Sequence, residues 1–543
     1  MPTDPQDTSI PKRITDHPRF QRVLSVSGSQ QSQHMPTLSK FFQFRFIDYL
    51  YSEVYESMSE EDKKNKFTNK KILLYAQEAG NFGDISHVYF LAKLIRKKRP
   101  EVDIAILIQL ETKTREEISA IFPVSQYNTQ FIARYADCRE TETTMKNYAQ
   151  THALIGVAVL LAGGALYGTH HRFFYEYGFF NPYEFSEEGR IIQHFNNFYM
   201  GLSEFEAGIH IPEMPKRQLE DLQSNWLKHA LSLDSNTKYQ GKLFNLYMRD
   251  WMMQLLGVHT IVMSQVLNDR RIDIVVPPEL PCLEIIKRHE PLLQNLKEHG
   301  IGVIKIFSNN GECVILPLMD HGKELRFIRG SFVKQDMETI QQYSQPFSGS
   351  TGDMSFSEGV VLNKIPFYEA LQHKSGFFDS LITLATELNL TILAGFLRKI
   401  AYIRVQEEKI CNKHKRKQTG GFWQGSETAE ELAEKAKKAE PELVEMIFES
   451  AKALTQCIEN TQLMNEVTLF NHAIATNYNI ASKIIASVDR GLFLLSDPSL
   501  FKKEKELWES FKKNEMSFEN IVLSFQNRLL KGEQSAAPDL SQR

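Results

Sequence analysis

The stretch Lys71–Gln109 reads KILLYAQEAGNFGDISHVYFLAKLIRKKRPEVDIAILIQ, and it decides the fold class. Its first seven residues and the run Val102–Gln109 are short and apolar, as buried strands are. Residues 85–97 carry apolar side chains at spacings of three and four, which predicts a helix that stops before Pro100. Two buried strands joined by a helix are typical of a parallel β-α-β unit.

A second block of alternating strands and helices follows from about residue 271 to residue 390. Short apolar runs predict its strands at 272–276, 303–307, 313–318, 325–328, 346–353 with its loop, and 366–370. Between the first two strands, Leu283–His299 is predicted to be one amphipathic helix. Gly300 closes this helix, because glycine readily takes the left-handed conformation found at helix C-termini.

These patterns divide the chain into five parts and predict an α/β protein with two lobes. Residues 1–36 and 532–543 are polar and are expected to be disordered. Residues 37–270 are predicted to form the first lobe with helical additions, residues 271–390 the second lobe, and residues 391–531 a helical region.

The composition excludes several classes of protein. The 543 residues carry a net charge of only −4, which does not suggest a nucleic-acid binder. The five cysteines are scattered and form no CxxC pair, which argues against a disulfide framework or a structural zinc site. The polar N-terminus lacks the apolar core of a signal peptide, so we expect a cytoplasmic protein.

Three segments of less regular pattern also receive a prediction. The run Ala153–Gly168 has 16 residues, fewer than the ~20 that a membrane span needs, and is predicted to be a buried strand or strand–turn–helix, with membrane contact as the alternative. Residues 205–211 are predicted to be a strand. Residues 216–265 are predicted to be mostly helical, as a bridge between the lobes.

The turn after the first strand is the first candidate site. It reads Gly80-Asn81-Phe82-Gly83-Asp84 and leads into a helix. Ligands of open α/β sheets bind beyond the carboxyl ends of strands, and glycine lets the backbone approach them closely. Asp84 is our candidate general base, and its alternative role is a helix cap. Asn81 and Phe82 are candidates for lining a cleft.

A loop of small residues in the second block is the second candidate site. It reads SGSTGDMSFSE from Ser348 to Glu358. Backbone N–H groups and hydroxyls at a helix N-terminus bind anions, so the loop suits a nucleotide diphosphate, with Glu358 on a ribose hydroxyl. The alternative is an ordinary turn capped by Asp353 or Ser355, with Glu358 facing solvent.

Three other residues complete the candidate set. Glu176 and Tyr177 follow an apolar run and either line the cleft or lie in an exposed loop. Arg329 ends a predicted strand and either meets a phosphate or forms a surface ion pair. The sequence contains no GxxxxGK[ST], GxGxxG or HExxH motif, so we predict neither a P-loop nor a metal site.

Together these features resemble the GT-B glycosyltransferases, whose two Rossmann-like lobes face each other across a cleft. The closest local similarity is to bacterial protein-arginine rhamnosyltransferases. Their N-terminal turn reads Asp-Asn-Phe-Gly-Asp-Ile-Gly, where this chain has Gly80 to Ser86 as GNFGDIS. Their second motif reads Gly-Glu-Asp-Ser-Phe, where this chain has Gly352 to Phe356 as GDMSF. The polar tails are similar in composition to those of secreted bacterial effectors, which would act in a host cytosol.

The resemblance implies a metal-independent glycosyltransferase with Asp84 as catalytic base. It needs no cofactor beyond a nucleotide sugar as co-substrate, and a protein side chain is the expected acceptor. The residues expected to bind the donor are Gly83, Arg329, Ser350, Thr351, Gly352, Asp353, Ser355 and Glu358.

Two alternatives remain open from the sequence. The first is a nucleotide-sugar epimerase or hydrolase that uses the same donor pocket without an acceptor. The second is a non-enzymatic interaction protein that binds a partner through its helical C-terminal region, since a fold does not by itself define a function.

Overall fold

The structure is a computed structural model, and it describes most of the chain between residues 47 and 506. The described residues are 47–68, 70–77, 83–110, 112–132, 152–157, 176–180, 198–199, 201–202, 208–233, 239–248, 250–264, 270–369, 375–413, 429–497, 499–500, 503–504 and 506. The predicted disordered tails lie outside these residues.

The chain forms two compact units, and the first of them is discontinuous in sequence. One unit contains residues 1–209 and 479–543, and the other contains residues 210–478. The domain limits expected at residues 270 and 390 remain predictions.

The first part of the chain confirms the β-α-β unit. Its elements in chain order are α1 (Ile47–Ser57), α2 (Glu60–Phe67), β1 (Lys71–Gln77), α3 (Gly83–Lys98), β2 (Asp103–Gln109), α4 (Arg115–Ile121), β3 (Thr129–Ile132), β4 (His152–Val157), β5 (Glu176–Phe180) and β6 (Phe198–Tyr199).

The second part again alternates strands and helices and then becomes helical. Its elements are α5 (Asn225–Ala230), β7 (Lys242–Asn245), α6 (Trp251–Met263), β8 (Arg271–Val276), α7 (Pro281–Arg288), α8 (Glu290–Glu298), β9 (Ile301–Ser308), β10 (Cys313–Pro317), β11 (Lys323–Arg329), α9 (Lys334–Tyr343), β12 (Phe347–Ser350), α10 (Asp353–Val361), β13 (Ile365–Tyr368), α11 (Ser375–Glu387), α12 (Thr391–Lys413), α13 (Ala429–Ile458), α14 (Leu463–Asn477) and α15 (Ala481–Ser496).

The sheet of the first unit has the strand order β3-β2-β1-β4-β5-β6. β1 is parallel to both β2 and β4, β3 is parallel to β2, and β5 and β6 are antiparallel additions. The chain first builds the sheet outward from β1 to β3 and then returns to the other side of β1. This reversal is a topological switch point, the place where open α/β sheets bind ligands.

The apolar run that begins at Ala153 is a strand inside this sheet, as the sequence predicts. Residues 153–157 belong to β4, which pairs with β1 on one side and β5 on the other. The rest of the run lies outside the described residues. In the part of the chain that the structure covers, no helix is long and apolar enough to cross a membrane.

The C-terminal end of the first unit is held to its N-terminal helices by buried polar contacts. α15 packs on α1. Arg99, after α3, donates to Asp489 of α15 over 2.6 Å between Nε and Oδ1, and both side chains are buried. Tyr51 of α1 donates to Glu504 over 2.5 Å, and Arg490 binds the same carboxylate. These contacts explain why the chain returns to this unit after residue 478.

The sheet of the second unit has the strand order β10-β9-β11-β8-β7, in which only β10 is antiparallel to its neighbour. β12 and β13 form a separate parallel pair. β12 lies alongside β7, because Gln345 N–H donates to Leu243 O over 2.7 Å and the Ser348 hydroxyl donates to Asn245 O over 3.2 Å. The described strands therefore follow one another as β10-β9-β11-β8-β7-β12-β13.

Helices cover the second sheet and bury its apolar side chains. One buried cluster joins α5, α9 and the turn at Leu219–Asp221 to β7, β8 and β11; its members are Leu219, Leu222, Leu227, Ala230, Leu231, Leu243, Val275, Ile328 and Ile340. Further along the chain, α13 packs along both α6 and α12. The helical region predicted after residue 390 is present in α12, α13, α14 and α15.

Buried charges tie α5 to the strands beneath it. Asp273 of β8 is fully buried, accepts from the Tyr239 hydroxyl over 2.6 Å, and lies 3.0 Å from Arg271 Nε and 3.3 Å from Arg326 Nε. Arg326 also donates to Ala230 O at the end of α5. Cations at a helix C-terminus complement its dipole, so this cluster has a structural role.

Three predictions about secondary structure were wrong. The segment LFNLYM, expected to be helical within 216–265, contains strand β7, because its place between β8 and β12 overrides its local pattern. The single helix expected at Leu283–His299 is two helices, since Pro291 starts a new helix and His289 takes an extended conformation. Residues 205–211 form only isolated bridges, at Gly208 and Ile209, in their described part. Gly300 does close α8, with φ of 81°.

Candidate functional site

The candidates in the first unit share the carboxyl edge of its sheet. Gly83 and Asp84 are the first two residues of α3, which follows β1. Tyr177 of β5 pairs with Val157, the last residue of β4, and Glu176 precedes it. Because β4 is parallel to β1, these backbone positions lie at the same edge and at the switch point.

Part of this first site lies outside the described residues. Asn81 and Phe82 are among the undescribed positions, as are the side chains of Asp84, Glu176 and Tyr177. The two roles of Asp84, general base and helix cap, therefore both stay predictions. The structure shows that the backbone positions of Asp84, Glu176 and Tyr177 lie at the same carboxyl edge of the first sheet.

In the second unit, the small-residue loop lies at another switch point. β7 leads through α6 to β8 on one side, whereas β12 leads through α10 to β13 on the other side. Ser350 ends β12, and Thr351 and Gly352 join it to α10. The Thr351 hydroxyl lies 3.2 Å from Tyr247 O, just beyond β7. The sequence predicted that this loop joins a strand to a helix, and the structure confirms that order; the switch point was not predicted.

Two hydroxyls hold the loop, one by bonding its own backbone and one by bonding a carboxylate outside it. Ser355 Oγ accepts from Gly352 N–H at 3.1 Å and donates to Gly352 O at 2.8 Å. The Thr351 hydroxyl donates to Glu369 Oε2 at 2.6 Å. Since α10 begins at a glycine cap without a side-chain acceptor, the backbone N–H groups of its first turn are the groups that an anion would meet.

A buried carboxylate network supports the loop from beneath, and the sequence analysis missed it. Glu369, after β13, accepts from Thr351 with one oxygen and from Asp250 N–H, at 3.1 Å, with the other. Asp250 caps α6 through the N–H groups of its first turn. Arg404 of α12 donates to Asp250 at 3.0 Å and to Glu407 at 2.9 Å. The cap at Asp250 was predictable from Asp-Trp before an apolar run, but the contacts to Glu369 and Arg404 were not.

Glu358 packs toward α9. Its neighbours are Gln341, Lys334 and Glu338, and burial raises the pKa of its carboxyl to about 7 against a hydrogen bond from Gln341 that lowers it. A carboxyl that titrates near neutrality in a partly buried position is a frequent property of functional sites, although structural networks produce it too.

A small cavity with a mixed polar and apolar lining borders the loop. Its volume is about 20 Å³, and it is lined by Ser350 and Ser355 of the loop together with Gln341, Lys364 and Asn471. Burial lowers the pKa of the Lys364 amine to about 8. This volume holds about one or two water molecules, whereas small-molecule pockets span roughly 300–1,000 Å³. The cavity is therefore too small to hold a nucleotide sugar.

Arg329 lies on the same carboxyl edge but at a distance from the loop. It is the last residue of β11, and β8 and β7 separate β11 from β12. Three strand spacings correspond to about 14 Å between backbones, so Arg329 is not a direct neighbour of the start of α10.

The comparisons with protein families and with curated proteins gave no match. Among the described residues, no group of three or more histidine, cysteine, aspartate or glutamate side chains is arranged to hold a metal ion.

Proposed function

We propose that the protein is a glycosyltransferase that moves a sugar from a nucleotide-sugar donor to an acceptor, with a protein side chain as the favoured acceptor. In this proposal the start of α10 binds the donor diphosphate, and Asp84 is the general base. The GT-B arrangement of the two units belongs to the same proposal. No step in it requires a metal ion.

The position of the small-residue loop is the observation that carries this proposal. The loop follows β12 at a switch point of a parallel sheet, and it opens a nine-residue helix whose cap has no side chain. Backbone N–H groups at such a helix start attract phosphate. The support from Glu369 and Tyr247 fixes the loop, so little conformational entropy would be lost on binding.

This proposal changes the expected roles of several residues. Thr351 and Ser355 serve as supports of the loop, because the Thr351 hydroxyl is bonded to Glu369 and the Ser355 hydroxyl to Gly352. Ser350 is buried and lines the small cavity. The donor phosphates would then be held by the amides of Asp353, Met354 and Ser355.

A test of donor binding follows from this chemistry. Asp353→Pro removes one amide at the first helical position, where proline is tolerated, and Gly352 already has the extended conformation that proline requires before it. Asp353→Ala keeps the amide and is the matched control. With a panel of nucleotide sugars, we expect one to stabilise the wild type and the Asp353→Ala variant but not the Asp353→Pro variant. At about 100 times its Kd, such a ligand adds about 2.7 kcal/mol to the free energy of unfolding.

A test of transfer separates the proposal from its alternatives. With the nucleotide sugar found in the binding screen, we expect the sugar to appear as a mass increase on an acceptor protein. Asp84→Asn should lower this rate by roughly 10²–10⁴-fold while leaving donor binding intact. Release of free sugar without transfer would favour a hydrolase, and absence of binding by every nucleotide sugar would contradict the proposal.

A further inference from the structure

Two buried amide oxygens near the small-residue loop have no hydrogen-bond partner among the described residues. They are Gln341 Oε1 of α9 and Asn471 Oδ1 of α14, and the two residues are only 7% and 3% exposed. Both residues line the small cavity that borders the loop. Buried polar atoms in folded proteins are nearly always hydrogen-bonded, and where no protein group serves, an ordered water does. These two oxygens therefore call for a donor inside the cavity.

The nitrogen ends of the same two amides are already in use, so neither amide can turn over to satisfy its oxygen. Asn471 Nδ2 donates to Lys364 O over 3.1 Å and to Asn363 Oδ1 over 3.3 Å. The Gln341 amide donates to the Glu358 carboxyl and thereby lowers the pKa of that carboxyl. Turning either amide over would set its oxygen against another oxygen and lose these bonds. The donor that the two oxygens need must come from a third group.

A buried lysine also lines the cavity and brings donors to it. Lys364, the residue before β13, is 8% exposed, and its side-chain nitrogen donates to Ser344 O. An ammonium group has three N–H donors, and this bond uses one of them. Burial lowers the pKa of the amine to about 8, so most of it still carries its proton at pH 7. The cavity is thus bordered by two acceptors and one cationic donor.

These groups decide which kind of small ligand the cavity accepts. The positive charge of Lys364 repels a metal or ammonium ion, and the two amide oxygens repel an anion. A water molecule suits all three groups, because it donates two hydrogen bonds and also accepts. The cavity volume of about 20 Å³ exceeds the roughly 10–15 Å³ that one water needs, and buried waters typically have two to four polar partners. Size and charge therefore select the same ligand.

We propose that the cavity is the binding site of one ordered water molecule, which donates to Gln341 Oε1 and Asn471 Oδ1 and accepts from the Lys364 ammonium. This water completes a hydrogen-bond chain that runs from Lys364 through the water and Gln341 to the Glu358 carboxyl. Every donor in the chain points in the same direction, and such chains strengthen the bonds within them. The water thereby links α10 to α9 and α14 next to the loop. The site does not depend on which ligand the loop itself binds.

Anomalous diffraction distinguishes water from the two kinds of ion. Crystals of the full chain are grown with rubidium bromide, and data are collected at the rubidium and bromine absorption edges. We expect one density peak within about 2.5–3.2 Å of Gln341 Oε1, Asn471 Oδ1 and Lys364 Nζ, without anomalous signal at either edge. A rubidium or bromide signal at this place would overturn the proposal. So would a cavity without density, or one closed by direct bonds from Lys364 to the amide oxygens.

Oxygen-17 relaxation of the solvent counts long-lived bound waters in solution. The double variant Gln341→Met, Asn471→Leu removes both acceptors, and Gln335→Met is the matched control, because Gln335 lies on α9 but is not one of the residues that line the cavity. We expect the double variant to hold one long-lived water fewer than the wild type, and the control to hold the same number as the wild type. Equal numbers in all three proteins would refute the site. The diffraction test uses the wild type, so it stands even if the double variant does not fold.

Discussion

The Glu358 carboxyl lies against α9, where burial raises its pKa to about 7 from an ordinary value of 4.5. A carboxyl with a raised pKa binds its proton more tightly in the folded state, so its stabilising contribution is present below pH 4.5 and is lost as the pH rises to 7. Glu358→Gln keeps the neutral form at every pH. We expect the variant to be more stable than the wild type by about 1–3 kcal/mol at pH 8 and equal to it at pH 4.

Calorimetric unfolding of both proteins across this pH range checks the prediction. Glu338→Gln on the neighbouring face of α9 is a useful control, because its carboxyl pairs with Arg217 at 2.9 Å and its loss should destabilise the fold at pH 8. An unchanged stability of Glu358→Gln at pH 8 would show that the carboxyl is not buried in solution. If Glu358→Gln is stabilised yet weakens donor binding, the wild-type carboxyl is kept for function at the expense of stability.

His259 of α6 gives the opposite pH dependence. It is fully buried, its Nδ1 lies 2.9 Å from Asn295 Oδ1, and burial lowers its pKa to about 4. A base with a lowered pKa binds protons more readily when unfolded, so stability is present above pH 6.5 and is lost as the pH falls to 4. We expect a loss of about 3 kcal/mol over this interval in the wild type and a much smaller one in His259→Gln.

The buried Cys282 of α7 reports this loss locally, since α7 packs on α6. Its rate of thiol labelling, located by mass spectrometry and divided by the rate of an unfolded peptide, should rise as the pH falls from 6.5 to 4. The rise should be much smaller in His259→Gln. The same acid sensitivity in both proteins would mean that another group controls it.

β12 packs tightly against the residues that follow β7, and Gly349 lies at this contact. A Cβ at this position would overlap the Met248 sulfur and would approach Leu246 Cδ2 to 3.3 Å. Gly349→Ala is therefore expected to destabilise the second unit by about 1–3 kcal/mol, as overpacking does. Gly395→Ala is the control, because a Cβ added there would meet no other atom within 4 Å and alanine favours a helix. Urea unfolding in which Gly349→Ala is as stable as Gly395→Ala would contradict the close packing of β12 on β7.

The elements also show how far the sequence could lead. Strong patterns predicted β1, α3 and β2 to within two residues, because an apolar run and a helical period leave few alternatives. β7 was not predictable, since its neighbours β8 and β12 are distant in sequence and decide its conformation. The Glu369 network was hidden for the same reason: its bond to Asp250 spans 119 positions, and the bond from Arg404 to Asp250 spans 154. Composition can reveal a loop of small residues but not what lies beneath it.

At the scale of the whole molecule, no local sequence pattern predicts that the first unit is built from two separate segments of the chain. Residues after 478 return to a unit that the chain left at 209, and the buried ion pair of Arg99 with Asp489 joins them to it. This return makes the stability of the N-terminal sheet depend on α15. A consequence is that a truncation at residue 478 would not leave the first unit intact, although it removes none of the strands that the structure describes.

The Arg99–Asp489 pair joins α15 to the N-terminal part of the first unit, so removing it tests how much this contact stabilises the unit. Arg99 stacks on the Tyr55 ring at 4.0 Å and contacts Glu56 as well as Asp489, while Asp489 is fully buried. Breaking a buried pair typically costs about 3–5 kcal/mol, and without Asp489 the buried Arg99 would keep only the half-exposed carboxylate of Glu56. We expect Asp489→Ala to destabilise the first unit by about this amount and to make α15 sensitive to limited proteolysis before the second unit unfolds.

A surface pair in the same unit supplies the comparison. Lys63 and Glu60 lie 2.7 Å apart, but Glu60 is 81% exposed, so Glu60→Gln should leave the stability almost unchanged. If both variants unfold like the wild type, the C-terminal helix does not stabilise the first unit. If Asp489→Ala exposes α15 to protease while Cys282 of the second unit stays protected, the two units unfold separately. The same result would show that the buried Arg99–Asp489 pair stabilises the first unit.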